Sequence, residues 1–194
     1  MKDIVKSSYD VVVIGAGAGG AAAAWAYSQL GYSVCLVERG DWQDPSQYPS
    51  NFDDWERRRH SQYSYDPNIR NAAADYMIDH TSSPIKVANF NGVGGSTILY
   101  SGHFPRLHPS DFATFTLDAV GQDWPISYSQ LEHYYHINDI HMGVSGLVGD
   151  TAYPPMREGS LKKPIPMGTY GDRLGQAFNE LGWHWWPSYS AISS

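Results

Sequence analysis

The sequence predicts an α/β fold built on a parallel sheet with helices packed against it. Three observations predict it. Apolar, β-branched runs stand at Tyr9 to Ile14 and at Val34 to Val37, and such runs suit strands covered on both faces. A glycine-rich turn, Gly15 to Gly20, follows the first run directly. The segment from Ala21 to Leu30 then reads as the helix between the strands, and Gly31 stands where a helix-ending glycine belongs.

Composition narrows the class. The chain has 194 residues, 42% of them apolar and 17% charged. That is enough apolar matter for a core and too little charge for a disordered chain. Thirteen Lys and Arg against twenty Asp and Glu leave a net charge of −7, which argues against a nucleic-acid partner. The single cysteine, Cys35, excludes an internal disulfide. It lies in the second strand and reads as a small buried hydrophobe. No run is long and apolar enough for a membrane span, and the start lacks signal-peptide form. The default location is therefore cytoplasmic, with export on a signal-bearing partner left open.

The remaining elements follow in order. Asp41 to Pro49 is polar and irregular, with a short helix near Asp53. Weak strands are predicted near Tyr76 to Ile78 and from Pro84 to Phe90. A helix is predicted to start at a capping box, Ser129 to Glu132, with Leu131, Tyr134, Tyr135 and Asn138 on one face and Gly143 as its stop. Residues 150–169 form a proline-containing connector. Leu174, Ala177, Phe178 and Leu181 have helical spacing, and a strand is predicted to begin at Trp183 to Pro187.

Two glycine loops carry the chemistry. Gly15, Gly17 and Gly20 form G-x-G-x-x-G between strand and helix, and Glu38 ends the next strand. In that context Gly15 allows a tight turn, Gly17 lets a pyrophosphate approach, and Gly20 lets the helix pack on the strand. Amides at the helix start face the phosphates, and Glu38 is placed for ribose hydroxyls. A carboxylate there argues against NADP. These residues alone leave FAD and NAD both open. The second loop, Gly92 to Thr97, holds Gly94, Gly95 and Ser96, and its amides suit a phosphate or a flat ring.

The combination resembles the glucose–methanol–choline family of FAD-dependent oxidoreductases. The resemblance rests on Tyr9 to Gly20 with Val34 to Gly40, on Asn91 to Phe112, on Trp124 to Tyr128 with Leu131 to Tyr135, and on Met142 to Gly146. It implies a Rossmann-like FAD-binding domain, incomplete in this chain. Residues 1–149 would be its N-terminal part. Residues 150–194 would be a connector and the start of a substrate-binding region. By resemblance, Gly15, Gly17, Ala18, Gly19 and Gly20 hold the FAD pyrophosphate and Glu38 the ribose. Gly94, Gly95 and Ser96 lie along the dinucleotide, and Tyr100, Ser101 and His103 approach the flavin end.

The implied reaction is oxidation of a small alcohol, polyol or sugar, with a hydride passing to the flavin. The stretch His108 to Phe112 tilts the electron acceptor toward a quinone or a haem partner. Leu99 occupies the place where some members tether FAD through a histidine, so non-covalent FAD is expected. Tyr100 departs from the Asn common there. The family's catalytic histidine lies in a C-terminal region absent here, so no catalytic residue is named and the chain reads as an N-terminal fragment. By itself it is expected to be poorly soluble and inactive. Two alternatives are a non-catalytic flavin-binding or assembly module and an NAD-dependent dehydrogenase.

Other groups read more plainly. His133, His136 and His141, with Glu132 and Asp139, read as a solvated helix face, and no metal is expected. Arg57, Arg58 and Arg59 read as a solvated charge run. Arg106 is open between supporting the cofactor site and pairing with Asp111. Trp183, Trp185 and Trp186 are expected to pack against parts of the protein outside this chain.

Overall fold

A computed structural model describes residues 6–70, 72–73 and 75–192. The chain divides into two compact units, residues 1–100 and 101–194.

The first unit opens with β1 (Val11–Ile14), α1 (Ala18–Gln29) and β2 (Val34–Val37). The strands pair in parallel, Val11 opposite Val34 through Ile14 opposite Val37. This is a small parallel sheet with a helical crossover, a partial Rossmann-like arrangement. The Asp10 carboxylate fastens its entrance, accepting from the Ser33 amide at 2.8 Å and the Ser33 hydroxyl at 2.6 Å. Those bonds hold Asp10 below the usual carboxylate range. Gly31, at φ +85°, ends α1 as predicted.

Beyond β2 come α2 (Trp55–Arg59) and α3 (Pro67–Arg70). The strands predicted near Tyr76 and from Pro84 to Phe90 do not form. Side chains take the place of a neighbouring strand. Asn68 donates to the Ile78 carbonyl and accepts from the Ile78 amide, both at 2.9 Å. Arg70 donates to the carbonyls of Ser64 and Asn89 and to the Asp75 carboxylate. The buried aromatics here are Tyr63 and Phe90, stacked with centroids 6.2 Å apart. By contrast α1 buries no residue, and Ile14 on β1 is 88% exposed.

The second unit contains α4 (Thr114–Asp118), α5 (Tyr128–Met142) and α6 (Gly168–Glu180). The box at the start of α5 lies earlier than predicted. Ser127 is the cap, and its amide donates to the Gln130 side chain at 2.8 Å. Glu132 is instead drawn to Arg157, at 2.7 Å. The inward face of α5 also differs from the prediction. Tyr134 and Asn138 are exposed, while Tyr128 and Asp139 are buried. Gly143 ends the helix at φ +63°.

Arg106 is the reason for that face. Its guanidinium donates to Asp139 at 2.6 and 3.0 Å and to the Tyr128 hydroxyl at 3.1 Å. It does not pair with Asp111, which accepts from the His108 amide at 2.7 Å. Both side chains of the Arg106–Asp139 pair are 3% exposed. Burial pushes the Asp139 carboxyl up against the opposing pull of Arg106. The Arg106 carbonyl also accepts from Tyr153 at 2.9 Å.

The predicted strand at Trp183 to Pro187 is irregular, and pairing is confined to isolated bridges at Ser190. The tryptophans spend their N–H groups locally, Trp185 on Asn179 and Trp186 on the Leu147 carbonyl. On α6 the predicted apolar stripe is largely exposed at Leu174 and Leu181. The buried position is Gly175, whose added Cβ would meet the Trp185 ring at 2.6 Å.

Candidate functional site

The site of the first unit is a junction of three main-chain segments. The first is the turn between β1 and α1. Gly15, at φ +92°, makes it, and its amide donates to the Val37 carbonyl at 2.7 Å. A side chain at Gly20 would place Cβ 1.9 Å from the Gly15 carbonyl oxygen. This contact is the close helix–strand packing that the motif requires.

The second segment follows β2. The Glu38 carboxylate accepts from the Ala16 amide at 2.6 Å and from the Gly40 amide at 2.8 Å. It thereby ties the glycine turn to the exit of β2. The Ala16 and Gly40 amides hold the carboxyl below the usual range. A carboxylate has about four acceptor positions, so lone pairs are left for hydroxyl donors.

The second glycine loop is the third. Gly94, at φ +102°, donates its amide to the Ala16 carbonyl at 2.9 Å, and Val93 donates to the Asp41 carbonyl at 3.1 Å. Added side chains measure how tightly the segments meet. Cβ at Gly40 would lie 2.3 Å from the Gly92 nitrogen, and Cβ at Gly95 would lie 3.1 Å from the Gly17 Cα. The two loops predicted separately therefore touch.

The junction is also open on one side. Cβ atoms at Gly17 and Gly19 would meet nothing within 4 Å. No side chain caps the start of α1, and its first turn has no acidic residue. The amides of Ala18, Gly19 and Gly20 precede the first intrahelical bond, which runs from Ala21 to Gly17. An uncapped helix start with free amides and no acidic residue in its own first turn suits a phosphate group. The residues present thus fit a dinucleotide pyrophosphate.

The other predicted residues part company. Ser96 and Tyr100 line a cleft beside the 3-10 turn Gly95–Leu99, and the Ser96 hydroxyl accepts from the Phe90 amide at 3.2 Å. Ser101 and His103 belong to the second unit, where the His103 ring bonds the Ser188 hydroxyl at 2.7 Å. Gly40 and Gly92 are close-approach positions that motif reading does not single out. Their signal is a glycine just after the strand-ending acid and a glycine at the mouth of the second loop.

The histidine and acid cluster on α5 is divided among other partners. His136 bonds Ser160 at 2.7 Å, Glu132 pairs with Arg157, and Asp139 pairs with Arg106. Among the described residues no group of three or more could hold a metal ion. Nor is any described helix long and apolar enough to cross a membrane.

Comparison with known proteins adds a direction. The family model described as FAD dependent oxidoreductase (DAO) matches residues 10–47, the β1–α1–β2 unit with its turn and Glu38. The chain is 42% identical over 185 residues to 2-methyl-1,2-propanediol dehydrogenase of Mycolicibacterium austroafricanum, covering 94% of this chain and 33% of that protein. It is 33% identical over 180 residues to the fructose dehydrogenase large subunit of Gluconobacter japonicus, covering 86% and 33%. Paromamine 6'-oxidase of Streptomyces fradiae is 30% identical over 188 residues, with 95% and 31% covered. The chain spans about a third of the length of these relatives. Together the matches point to FAD-dependent oxidoreductases.

Proposed function

We propose that the chain is the FAD-binding part of a glucose–methanol–choline-type oxidoreductase that oxidises an alcohol, polyol or sugar. The carrying observation is the junction of two glycine loops and Glu38, closed by main-chain contact and open at Gly17 and Gly19.

In this reading the amides of Ala18, Gly19 and Gly20 receive the pyrophosphate, and Gly17 leaves the space for it. Glu38 accepts the ribose hydroxyls while still holding Ala16 and Gly40. Gly94, Gly95 and Ser96 carry the dinucleotide onward, toward Tyr100. When bound, the flavin supplies a two-electron acceptor for the hydride of a CH–OH carbon. Leu99 has no nucleophilic atom for a tether, so FAD is held without a covalent bond. This chain's own residues bind and orient; none of them is assigned as the base that takes the hydroxyl proton. The relatives named for 2-methyl-1,2-propanediol and for fructose support a small diol or a sugar as substrate, and a quinone or haem acceptor extends the resemblance carried by His108 to Phe112.

The test is to purify the full-length protein and record its visible spectrum before and after acid precipitation. The expected result is a flavin spectrum whose yellow colour stays in the supernatant as free FAD, with alcohol-dependent reduction of an artificial acceptor. A colourless protein that binds a nicotinamide cofactor would overturn the reading. Rapid oxygen consumption without use of artificial acceptors would overturn the acceptor assignment alone.

A further inference from the structure

We infer that Arg70 and Asp75 are positioning residues for the second glycine loop. Through Asn89, Phe90 and Asn91 they set where Gly94, Gly95 and Ser96 meet the cofactor. This role rests on the glycine junction being the FAD site.

The pair is buried, with side chains 3% and 4% exposed. The Asp75 carboxylate accepts from Arg70 Nε at 2.9 Å and from Arg70 Nη2. It also accepts from the Ala72 amide at 2.9 Å and from Asn91 Nδ2 at 3.0 Å. A carboxylate has about four acceptor positions, and here all of them go to this chain. Asp75 therefore holds protein and has no lone pair to spare for a ligand, in contrast to Glu38. Arg70 turns Nη1 to the Ser64 carbonyl at 2.6 Å and the Asn89 carbonyl at 3.0 Å.

Three successive residues at the entrance of the loop are held in this way. Asn89 is held by its carbonyl and Asn91 by its side-chain amide. Between them, the Phe90 ring lies 4.6 Å from the Arg70 guanidinium. Phe90 passes the constraint onward, because its amide donates to Ser96 Oγ at 3.2 Å. The opposite side of the entrance is fixed by Gly40, whose added Cβ would lie 2.5 Å from the Asn91 carbonyl carbon. Tyr76 ties the two sides together. Its hydroxyl accepts from Asn89 Nδ2 at 3.1 Å, and its ring lies 4.8 Å from the guanidinium of Arg39, the neighbour of Gly40.

A loop of glycines needs such a brace. Glycine has the most conformational freedom to lose, and Gly92, Gly94 and Gly95 bring no side chains of their own to restrict it. The stiffness has to come from the residues before them. Charge-assisted bonds are roughly twice as strong as neutral ones, so a buried arginine–carboxylate pair suits that task. Site geometry held by locked neighbours is what lets main-chain groups meet a ligand without reorganising.

The experiment titrates FAD into flavin-free full-length protein and follows flavin fluorescence. Visible circular dichroism of the bound flavin at saturating FAD and the urea midpoint of the flavin-free protein are read alongside. Asn91→Leu cuts the link to the loop and leaves the ion pair in place. It is expected to weaken FAD at least tenfold and to change the flavin dichroism, with the urea midpoint unchanged. Asp75→Asn should weaken FAD at least as much and also lower the urea midpoint. Combining Asp75→Asn with Asn91→Asp restores the bond with donor and acceptor exchanged and keeps a carboxylate near Arg70. That exchange should recover FAD affinity to within threefold of the wild type. FAD affinity unchanged in Asn91→Leu would overturn the role, as would affinity that falls only in step with the urea midpoint. An exchange no better than Asp75→Asn alone would overturn it too. In each of these cases wild-type protein still takes up FAD, and the proposed function stands. Wild-type protein that takes up no FAD would strike the proposed function, and the positioning role with it.

Discussion

Around the glycine loops of the first unit the closest contacts are between main chains. Gly20 packs on Gly15, Gly40 on Gly92, and Gly95 on Gly17, leaving no room for a Cβ at the first two pairs. In the second unit charged and polar side chains gather on the Arg106 guanidinium, which bonds Tyr128 and Asp139. Around the main-chain junction the apolar surface of β1, β2 and α1 is poorly covered; around Arg106 the charges are almost wholly buried. The contrast fits the proposed function. A surface that must approach a ligand closely excludes side chains, and the exclusion leaves it little apolar matter to bury. A region without that demand can be centred on one long side chain.

The contrast can be broken first where it is strongest. Arg106→Met removes one partner of a buried ion pair and leaves Asp139 without its countercharge. Breaking such a pair costs about 3–5 kcal/mol, and urea denaturation followed by far-UV circular dichroism should show it. The double change Arg106→Met, Asp139→Leu should recover most of the loss, because no unpaired charge remains. If the single variant is as stable as the wild type, the second unit does not rest on this pair.

Gly20→Ala and Gly40→Ala test the main-chain junction. Each forces a shift of backbone against backbone, an overpacking cost of about 1–3 kcal/mol, and each should release flavin. The change Gly17→Ala sharpens the same point. Its Cβ meets nothing in the protein, so stability should stay within about 0.5 kcal/mol of the wild type. Flavin affinity should nonetheless fall at least tenfold, because the methyl occupies the approach of the phosphates. A Gly17→Ala protein with full flavin content would show that the ligand does not come in at that face.

The smallest effect expected is a pH limb. Glu38 has its carboxyl held low by the Ala16 and Gly40 amides. A carboxyl lowered on folding contributes its stability above the ordinary value of 4.5, and loses it as pH falls through the lower folded value. Flavin retention should therefore drop below pH 4.5. In Glu38→Gln, retention should be weaker at neutral pH and that limb should flatten, as read by flavin fluorescence across an acid titration.

Much of the first unit is legible in the sequence because its signals are local. β1, the glycine turn, α1, Gly31, β2 and Glu38 each announce themselves within a few residues. What could not be read was pairing at a distance. The β-branched content near Pro84 to Phe90 resembles a strand, but Arg70 and the Tyr65 carbonyl satisfy the Asn89 backbone there, and no neighbour strand is supplied among the described residues. The face of α5 was misjudged for the same reason. Apolar spacing selects Leu131, Tyr134 and Tyr135, whereas burial follows the side chains that Arg106 reaches. Tyr128 and Asp139, placed at helical spacing with Glu132 and Tyr135 between them, were the available sign. At the site, each glycine loop was legible alone, and their contact was not.

The bond from the Gly94 amide to the Ala16 carbonyl sets an order of events during synthesis. Chains grow at about 5–20 residues per second. The first loop is therefore made several seconds before the segment that completes it leaves the ribosome. Through that interval the nascent chain carries one loop of the cradle without the other. On the proposed function, flavin capture follows the emergence of Gly94, and the supply of cofactor then matters at one late moment of translation.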